Sequence, residues 1–282
     1  MYYCILICLL SYKMPHLSII TVLFNPIKNG RQAMLLQAID SVNQQKNADF
    51  EHIIIDGAST DGTVDLLEQL KIEGKITTYI SEPDKGIYDA MNKGAYMANG
   101  DYIGFLNSDD YYCDLEGFSK ILSCIQHYDY LYSPVDVADE KENISGQFKP
   151  TPNRFLTKMP FAHQSLIIKK EIFSHLKGFD ISFKLAADYD FIMRMMFEKY
   201  KGFYLKDILS VFRLGGISDT NIHDGINEKI GVWQKNFGIA DYLKTITSKT
   251  LPIKILFRLF WQYPYLYKAL LTELFRALRK IK

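Results

Sequence analysis

DYIGFLNSDDYY, residues Asp101–Tyr112, decides how this chain is read. Tyr102–Leu106 has the composition of a buried strand, and it stops abruptly at Asn107-Ser108-Asp109-Asp110. Adjacent carboxylates repel each other unless a cation sits between them and something anionic. In open α/β sheets, ligands gather outside the carboxyl ends of the strands. The stretch therefore reads as a divalent cation at Asp109, holding a diphosphate. The plainer alternative is a solvated turn that closes a strand.

Upstream, Leu17–Leu23 (LSIITVL) is a continuous apolar, β-branched run, as expected of a central parallel strand. Asn25-Pro26 breaks it, and Arg31–Gln45 follows as a helix with Leu35, Ala38, Ile39 and Val42 on one face. Glu51–Asp56, Thr77–Ser81 and Tyr102–Leu106 read as further strands, with helices at Val64–Leu70 and Ile87–Ala98 between them. Strands alternating with helices indicate right-handed βαβ units, hence an α/β, Rossmann-like, mostly parallel central sheet with helices on both faces. No GxGxxG follows the first strand and no GxxxxGK[ST] occurs, which argues against a dehydrogenase or a P-loop ATPase.

Downstream the pattern changes. Helices are expected at Glu116–Gln126 and Asp188–Lys199, and strands at Tyr130–Val137, Ser145–Lys149, Gln164–Ile168, Phe203–Leu205 and Leu209–Arg213. No repeat or linker divides the body. It reads as one domain over residues 14–240, with a nucleotide-binding type of half at 14–112 and a second half at 113–240 that extends the sheet and supplies the other wall of one cleft.

The chain has 282 residues, 48% hydrophobic and 23% charged, an ordinary globular composition. Its net charge of +1 hides an asymmetry: Leu251–Lys282 holds seven basic residues and one acid, so this tail carries +6 and the rest −5. An acidic body argues against nucleic acid as a partner. The basic, aromatic tail, within a segment at 241–282, suits an amphipathic helix lying on anionic lipid, which puts the protein in the cytoplasm, peripherally attached to the inner face of the plasma membrane. The alternative is a helix packed on the body or on the partner subunit of a homodimer. The leader at 1–13 is apolar but too short to span a bilayer, so Met14 is the expected start and the leader is dispensable; the alternative is a short membrane-touching anchor. The four cysteines form no CxxC pair or Cys/His cluster, which excludes an ordinary structural zinc site.

Several polar groups fall where strands meet helices. Asp56 ends the second strand, and a carboxylate there can accept from a base N–H or a ribose hydroxyl, or can merely cap the next helix. Ser81–Gly94, SEPDKGIYDAMNKG, puts Asp84 in a turn and Asp89 and Asn92 on one helix face. Asp188 opens a helix, a position the dipole favours for any carboxylate.

IIIDGASTDGT, SEPDKGIYDAMNKG, GDYIGFLNSDD and LAADYDF occur in the order and spacing of the family-two glycosyltransferases. The chain resembles that family from about Leu17 to Ser218, most closely its bacterial members that build capsule, exopolysaccharide or lipopolysaccharide glycans. The resemblance implies a GT-A fold and metal-dependent inverting transfer, with Mn2+ or Mg2+, of a hexosyl or N-acetylhexosaminyl group. The donor implied is a nucleotide-sugar, expected to be UDP-linked, and the acceptor a glycan or lipid-linked glycan. It also implies roles. Asp56 and Asp84 contact the nucleoside or ribose, with Asn92, Asn107 and Ser108 also on the donor. Asp109 is the metal-binding second aspartate of an Asp-x-Asp motif whose first position is Asn107 here, with Asp110 assisting the metal more weakly, through a water. Asp188 is the catalytic base, preceded by Ala187 where the family has glutamate. His163, Gln164, Arg213 and His223 are weaker candidates for acceptor or phosphate contacts, beside a Gly215-Gly216-Ile217-Ser218 loop. Two competitors remain: a sugar nucleotidyltransferase, which FNPIKNGRQ after the first strand fits poorly, and a non-catalytic subunit of a glycan-assembly complex.

Overall fold

The computed structural model describes residues 17–139, 141–156, 158–216, 221–237 and 271. The leader at 1–13, Ile217-Ser218 and nearly all of the 241–282 segment lie outside the described residues. In chain order the first half runs β1 (Leu17–Leu23), α1 (Gln32–Asn43), β2 (Phe50–Asp56), α2 (Thr63–Ile72), β3 (Thr78–Ser81), α3 (Ile87–Met97) and β4 (Tyr102–Asn107). The second half runs β5 (Tyr111–Tyr112), α4 (Gly117–Ile125), β6 (Tyr130–Tyr132), β7 (Val135–Ala138), β8 (Ile144–Phe148), β9 (Ile167–Lys169), α5 (Lys170–His175), α6 (Ala187–Phe197), β10 (Gly202–Tyr204), β11 (Ser210–Arg213) and α7 (Ile222–Phe237).

Seven strands form the main sheet in the order β10-β6-β9-β4-β1-β2-β3. β1 pairs in parallel with β2 and β4, and β2 with β3; only β9 runs against its neighbours, β4 and β6. The register aligns the strand ends that matter. Leu23 faces Asp56, Asp56 faces Ser81, and Val22 faces Asn107, so the turns after β1, β2, β3 and β4 open on one edge of the sheet. A second sheet, β5-β11-β7-β8, stands beside it.

Both sheet faces are covered, which is why β1 reads as a continuous apolar run rather than an alternating one. Ile20, Val22, Ile53, Ile55, Ile103 and Phe105 pack with α3, α5 and α6 on one side. Leu17, Ile19 and Leu106 pack with α1 and α4 on the other. Helix α3 sits so close to the sheet that a Cβ on Gly94 would lie 2.4 Å from Cγ2 of Ile20, so only glycine fits there.

Polar residues within this double-sided core are paired across strands, as burial demands. Ser18 Oγ donates to Glu51 Oε1 at 2.6 Å, and Thr21 Oγ1 meets His52 Nε2 at 2.9 Å. Burial holds the His52 imidazole down at about 3. Native His52 thus stays neutral while the unfolded chain takes a proton near 6.5, so its contribution is present above pH 6.5 and is lost as pH falls towards 3. Urea unfolding between pH 6.5 and 4 should show a stability slope that is smaller in His52→Gln by about 1.4 kcal/mol per pH unit.

The second half departs from the periodicity. The strand expected over Tyr130–Val137 is two strands in different sheets, divided at Ser133-Pro134, where proline removes a donor and fixes φ. The strand expected from Gln164 begins only at Ile167, after a 3-10 turn at His163–Ser165.

Candidate active site

The turn after β4 is built around a buried carboxylate. Asp110 is fully buried and accepts from Asn107 Nδ2 at 2.9 Å, Gln164 Nε2 at 3.0 Å and the Arg213 amide at 2.9 Å. Burial and then the charge of Asp109 push its carboxyl up to about 7, against the pull of the Arg213 and Gln164 donors. With its oxygens committed in this way, Asp110 organises the turn. Arg213 is engaged likewise. Its guanidinium is buried, bonded to the Asp109 carbonyl, to Gln37 and to Glu142, and stacked over the Tyr111 ring at 4.6 Å. These contacts make it a support of the turn.

Asp109 is the member left partly open, its side chain 18% exposed. Its Oδ2 accepts from Arg31 Nη1 at 2.9 Å, and Arg31 Nη2 donates to the Gly215 carbonyl at 3.0 Å. Arg31 lies just before α1, so it ties the β1–α1 loop, the Asp109 turn and the segment after β11 together. Sequence reasoning missed it. The only signal was a cation in the loop following β1, at the same sheet edge as Asp109.

Asp188 stands in the first turn of α6. Its Oδ1 accepts the Tyr189 amide at 2.7 Å and its Oδ2 lies 3.1 Å from His163 Nδ1. The Tyr88 hydroxyl from α3 lies against it, and burial together with the Asp188 charge raises that phenol well above its ordinary value. The chain entering α6 is fixed by Glu228 of α7, whose carboxylate accepts three successive amides: Lys184 at 2.9 Å, Leu185 at 2.7 Å and Ala186 at 2.9 Å. Asp190, two residues further on, is fully buried and bonded to Arg194, Lys235 and Asn236, so it joins α6 to α7 and does not share the site of Asp188.

One 3-10 turn joins the two acidic groups. Within His163–Ser165, His163 reaches Asp188 and its neighbour Gln164 reaches Asp110. The turn after β4 and the start of α6 are therefore neighbours, each bonded to the same short turn.

On the β2–β3 side, Asp56 is buried and accepts from the Ser59 amide at 2.9 Å, from the Ser59 hydroxyl and from the Ser81 hydroxyl at 2.6 Å. Asp84 Oδ1 accepts the Gly86 amide at 2.8 Å, and its other oxygen leaves no room for a Cβ on Gly57, which would lie 2.6 Å away. Phe24, 61% exposed, borders the same glycine. Ser108 is partly exposed at the turn beside Asp109.

Two of the expected residues are not brought in. Asn92 is clamped to the backbone of Phe179, donating to its carbonyl at 2.8 Å and accepting its amide at 2.9 Å. It lines a separate open depression of about 580 Å3 with Lys93, Arg194 and Lys235. His223 on α7 is 90% exposed, with Asn227 and Asp224 for company. Another depression, of about 690 Å3, lies around Asn99–Tyr102 and Lys169–Glu171, where β4 begins rather than where it ends.

No group of three or more His, Cys, Asp or Glu that could hold a metal forms among the described residues. The donors that do occur are oxygens: the Asp109 carboxylate and, on the same turn, Asn107 Oδ1, which is buried without a partner. This set fits a hard cation that completes its shell with phosphate oxygens and water, not one enclosed by protein ligands.

A sequence model of glycosyl transferase family 2 matches residues 18–195. A PGL/p-HBAD biosynthesis glycosyltransferase of Mycobacterium bovis is 28% identical over 166 residues, 57% of this chain and 64% of the relative, so the match spans less than two thirds of that relative's length. An uncharacterized glycosyltransferase of Mycobacterium tuberculosis is 30% identical over 186 residues, 64% of this chain and 68% of the relative. Among solved structures, residues 1–349 of TarS from S. aureus in complex with UDP-GlcNAc give a TM-score of 0.60 at 17% identity, over 86% of this chain and 72% of that one. A mannosyltransferase from Pyrobaculum calidifontis in complex with GDP-Man and Mn2+ gives 0.57 at 13% identity, over 97% of this chain and 93% of that one. At such identities the structural likeness speaks for the fold alone.

Proposed function

The chain belongs to glycosyl transferase family 2 and has a GT-A type fold, and from that premise we propose that it moves a sugar from a nucleotide-sugar to a glycan or lipid-linked acceptor with inversion. The observation that carries the reading is the 3-10 turn that bonds Asp188 through His163 and Asp110 through Gln164, which brings the two acidic segments together. UDP is the nucleotide we favour, in keeping with UDP-GlcNAc in the TarS complex. A hexose or N-acetylhexosamine is the sugar we favour, and cell-surface polysaccharide or lipopolysaccharide assembly the setting.

In this reading Asp188 takes the proton of the acceptor hydroxyl as its oxygen bonds to the anomeric carbon. The bond from that carbon to the diphosphate breaks on the opposite side, and its electron pair leaves with the nucleoside diphosphate. A divalent cation held by Asp109 and Asn107 would supply positive charge against the departing diphosphate. Arg31, 42% exposed beside Asp109, adds a permanent charge to the same place. Asp56, Asp84 and Phe24 form the nucleoside end. The catalytic unit is residues 14–240, with its donor half at 14–112. The basic tail, outside the described residues, would hold it to the anionic inner face of the membrane; no helix among the described residues is long and apolar enough to cross one.

The test is incubation with UDP-GlcNAc, UDP-glucose and GDP-mannose in Mn2+ or EDTA, read as nucleoside diphosphate release. Metal-stimulated release from at least one donor is expected. Pyrophosphate made from UTP and a sugar 1-phosphate would point to a nucleotidyltransferase instead. Donor binding without any release would point to a non-catalytic subunit.

A further inference from the structure

His163 has no assigned part in the chemistry above, yet its geometry is that of a group built to serve Asp188. Its side chain and that of Asp188 are 15% and 16% exposed, and they meet at 3.1 Å. An ionised carboxylate only accepts hydrogen bonds, so the contact requires the proton on Nδ1. The other ring nitrogen, Nε2, is buried and has no partner in the described structure. With the proton on Nδ1, Nε2 is left as a bare acceptor, which a buried site tolerates better than an orphaned N–H. Both observations put the ring proton on Nδ1.

The ring is also held from behind. The 3-10 turn that carries it is closed by Ser165, whose amide and hydroxyl both donate to the Ala162 carbonyl, at 3.1 and 2.9 Å. Gln164 pins the turn to Asp110, and β9 continues directly from it into the main sheet. On Asp188 itself, the Tyr189 amide occupies Oδ1 and the imidazole occupies Oδ2. The two donors, with the Tyr88 hydroxyl against the same carboxylate, fix it in one orientation, and removing the imidazole leaves Oδ2 without its nitrogen donor.

We propose that His163 is a positioning residue for Asp188: its Nδ1–H holds Oδ2 so that the carboxylate meets the acceptor hydroxyl in one orientation. This rests on the reading of Asp188 as the base. The ring takes no proton from substrate; it acts through the carboxylate.

Three substitutions and one spectrum test this. Asparagine places an amide N–H where Nδ1 stands and lacks Nε2, whereas alanine removes the donor and glutamine carries its amide one bond further out. With UDP-GlcNAc and Mn2+, His163→Ala and His163→Gln should lose about 10- to 100-fold in kcat, the usual loss when the partner orienting a functional group is removed. UDP affinity should be unchanged in both. His163→Asn should recover at least about tenfold of that loss, as expected when the lost contact is a single oriented hydrogen bond. Nitrogen-15 spectra of the histidine rings, with His163 assigned from its variants, should show Nδ1 protonated in the wild type and the proton redistributed in Asp188→Ala; this readout needs no turnover. Wild-type kcat in His163→Ala, an asparagine variant as poor as alanine, or a wild-type ring protonated at Nε2 overturns the proposal. Undiminished turnover in Asp188→Asn would instead overturn the assignment of the base, whatever the tautomer of His163.

Discussion

Asp188→Asn is expected to lower kcat for sugar transfer by about 10²- to 10⁴-fold, the span usual for loss of a general base. UDP binding in Mn2+ should stay within about twofold of the wild type, because no donor contact is removed. The physical reason lies in what surrounds the group. Both carboxylate oxygens already accept, one from the Tyr189 amide and one from His163. An asparagine keeps one oxygen and turns an NH2 towards one of those donors, so it loses the lone pairs that take a proton and also disturbs the imidazole. The helix dipole at the start of α6 favours the carboxylate over the neutral amide, but on the order of 1 kcal/mol of helix stability is small beside the loss in rate. The assay is paired: single-turnover product formation for kcat and calorimetric titration with UDP and Mn2+ for affinity.

Asp109→Ala should act on the other arm. The wild type is expected to bind UDP at least tenfold more tightly in Mn2+ than in EDTA, a difference of about 1.4 kcal/mol or more. In Asp109→Ala that difference should vanish. Some affinity should remain, because the substitution frees Arg31 Nη1 from its 2.9 Å pairing and leaves a guanidinium available to phosphate. The double variant with Arg31→Gln should lose this remainder too. Calorimetric titration of all three proteins in both buffers reads the effect, and a metal dependence that survives Asp109→Ala would remove the residue from the cation site.

What the sequence made legible follows from the range of the interactions. β1 came out with its bounds unchanged and β2, β3 and β4 within one residue: β1, β2 and β4 carry the buried apolar runs of central strands, and the short edge strand β3, only half-buried, is bounded by the helices on either side. The acidic stop after β4 and the acid opening α6 were visible for the same local reason: each sits where a periodic element starts or ends. The Ser133-Pro134 break was equally local but was read through, since apolar residues flank it on both sides. The supports of the site could not be seen in this way. Arg31 reaches Asp109 across 78 positions and Gly215 across 184, and Glu228 meets the amides before α6 from more than 40 positions away. The same reach governs Arg213. It was a candidate because it precedes the Gly215-Gly216-Ile217-Ser218 loop, and in three dimensions Asp109, Gln37 and Glu142 use its guanidinium. Asp56 does not cap the next helix, whose N-cap Gly62 has no side-chain hydrogen bond; it accepts from the Ser59 amide in the turn after β2 and stands at the sheet edge where the nucleoside is proposed to lie.

The central claim is that Asp109 and Asp188 act on one bound donor, and Mn2+ can report it directly through paramagnetic broadening. On adding UDP with Mn2+, the ring resonances of His163, which is bonded to Asp188, should broaden strongly. They should stay sharp with UDP and Mg2+, and with UDP and Mn2+ in Asp109→Ala. Broadening of exposed His223 with His163 untouched would place the cation elsewhere and contradict the account.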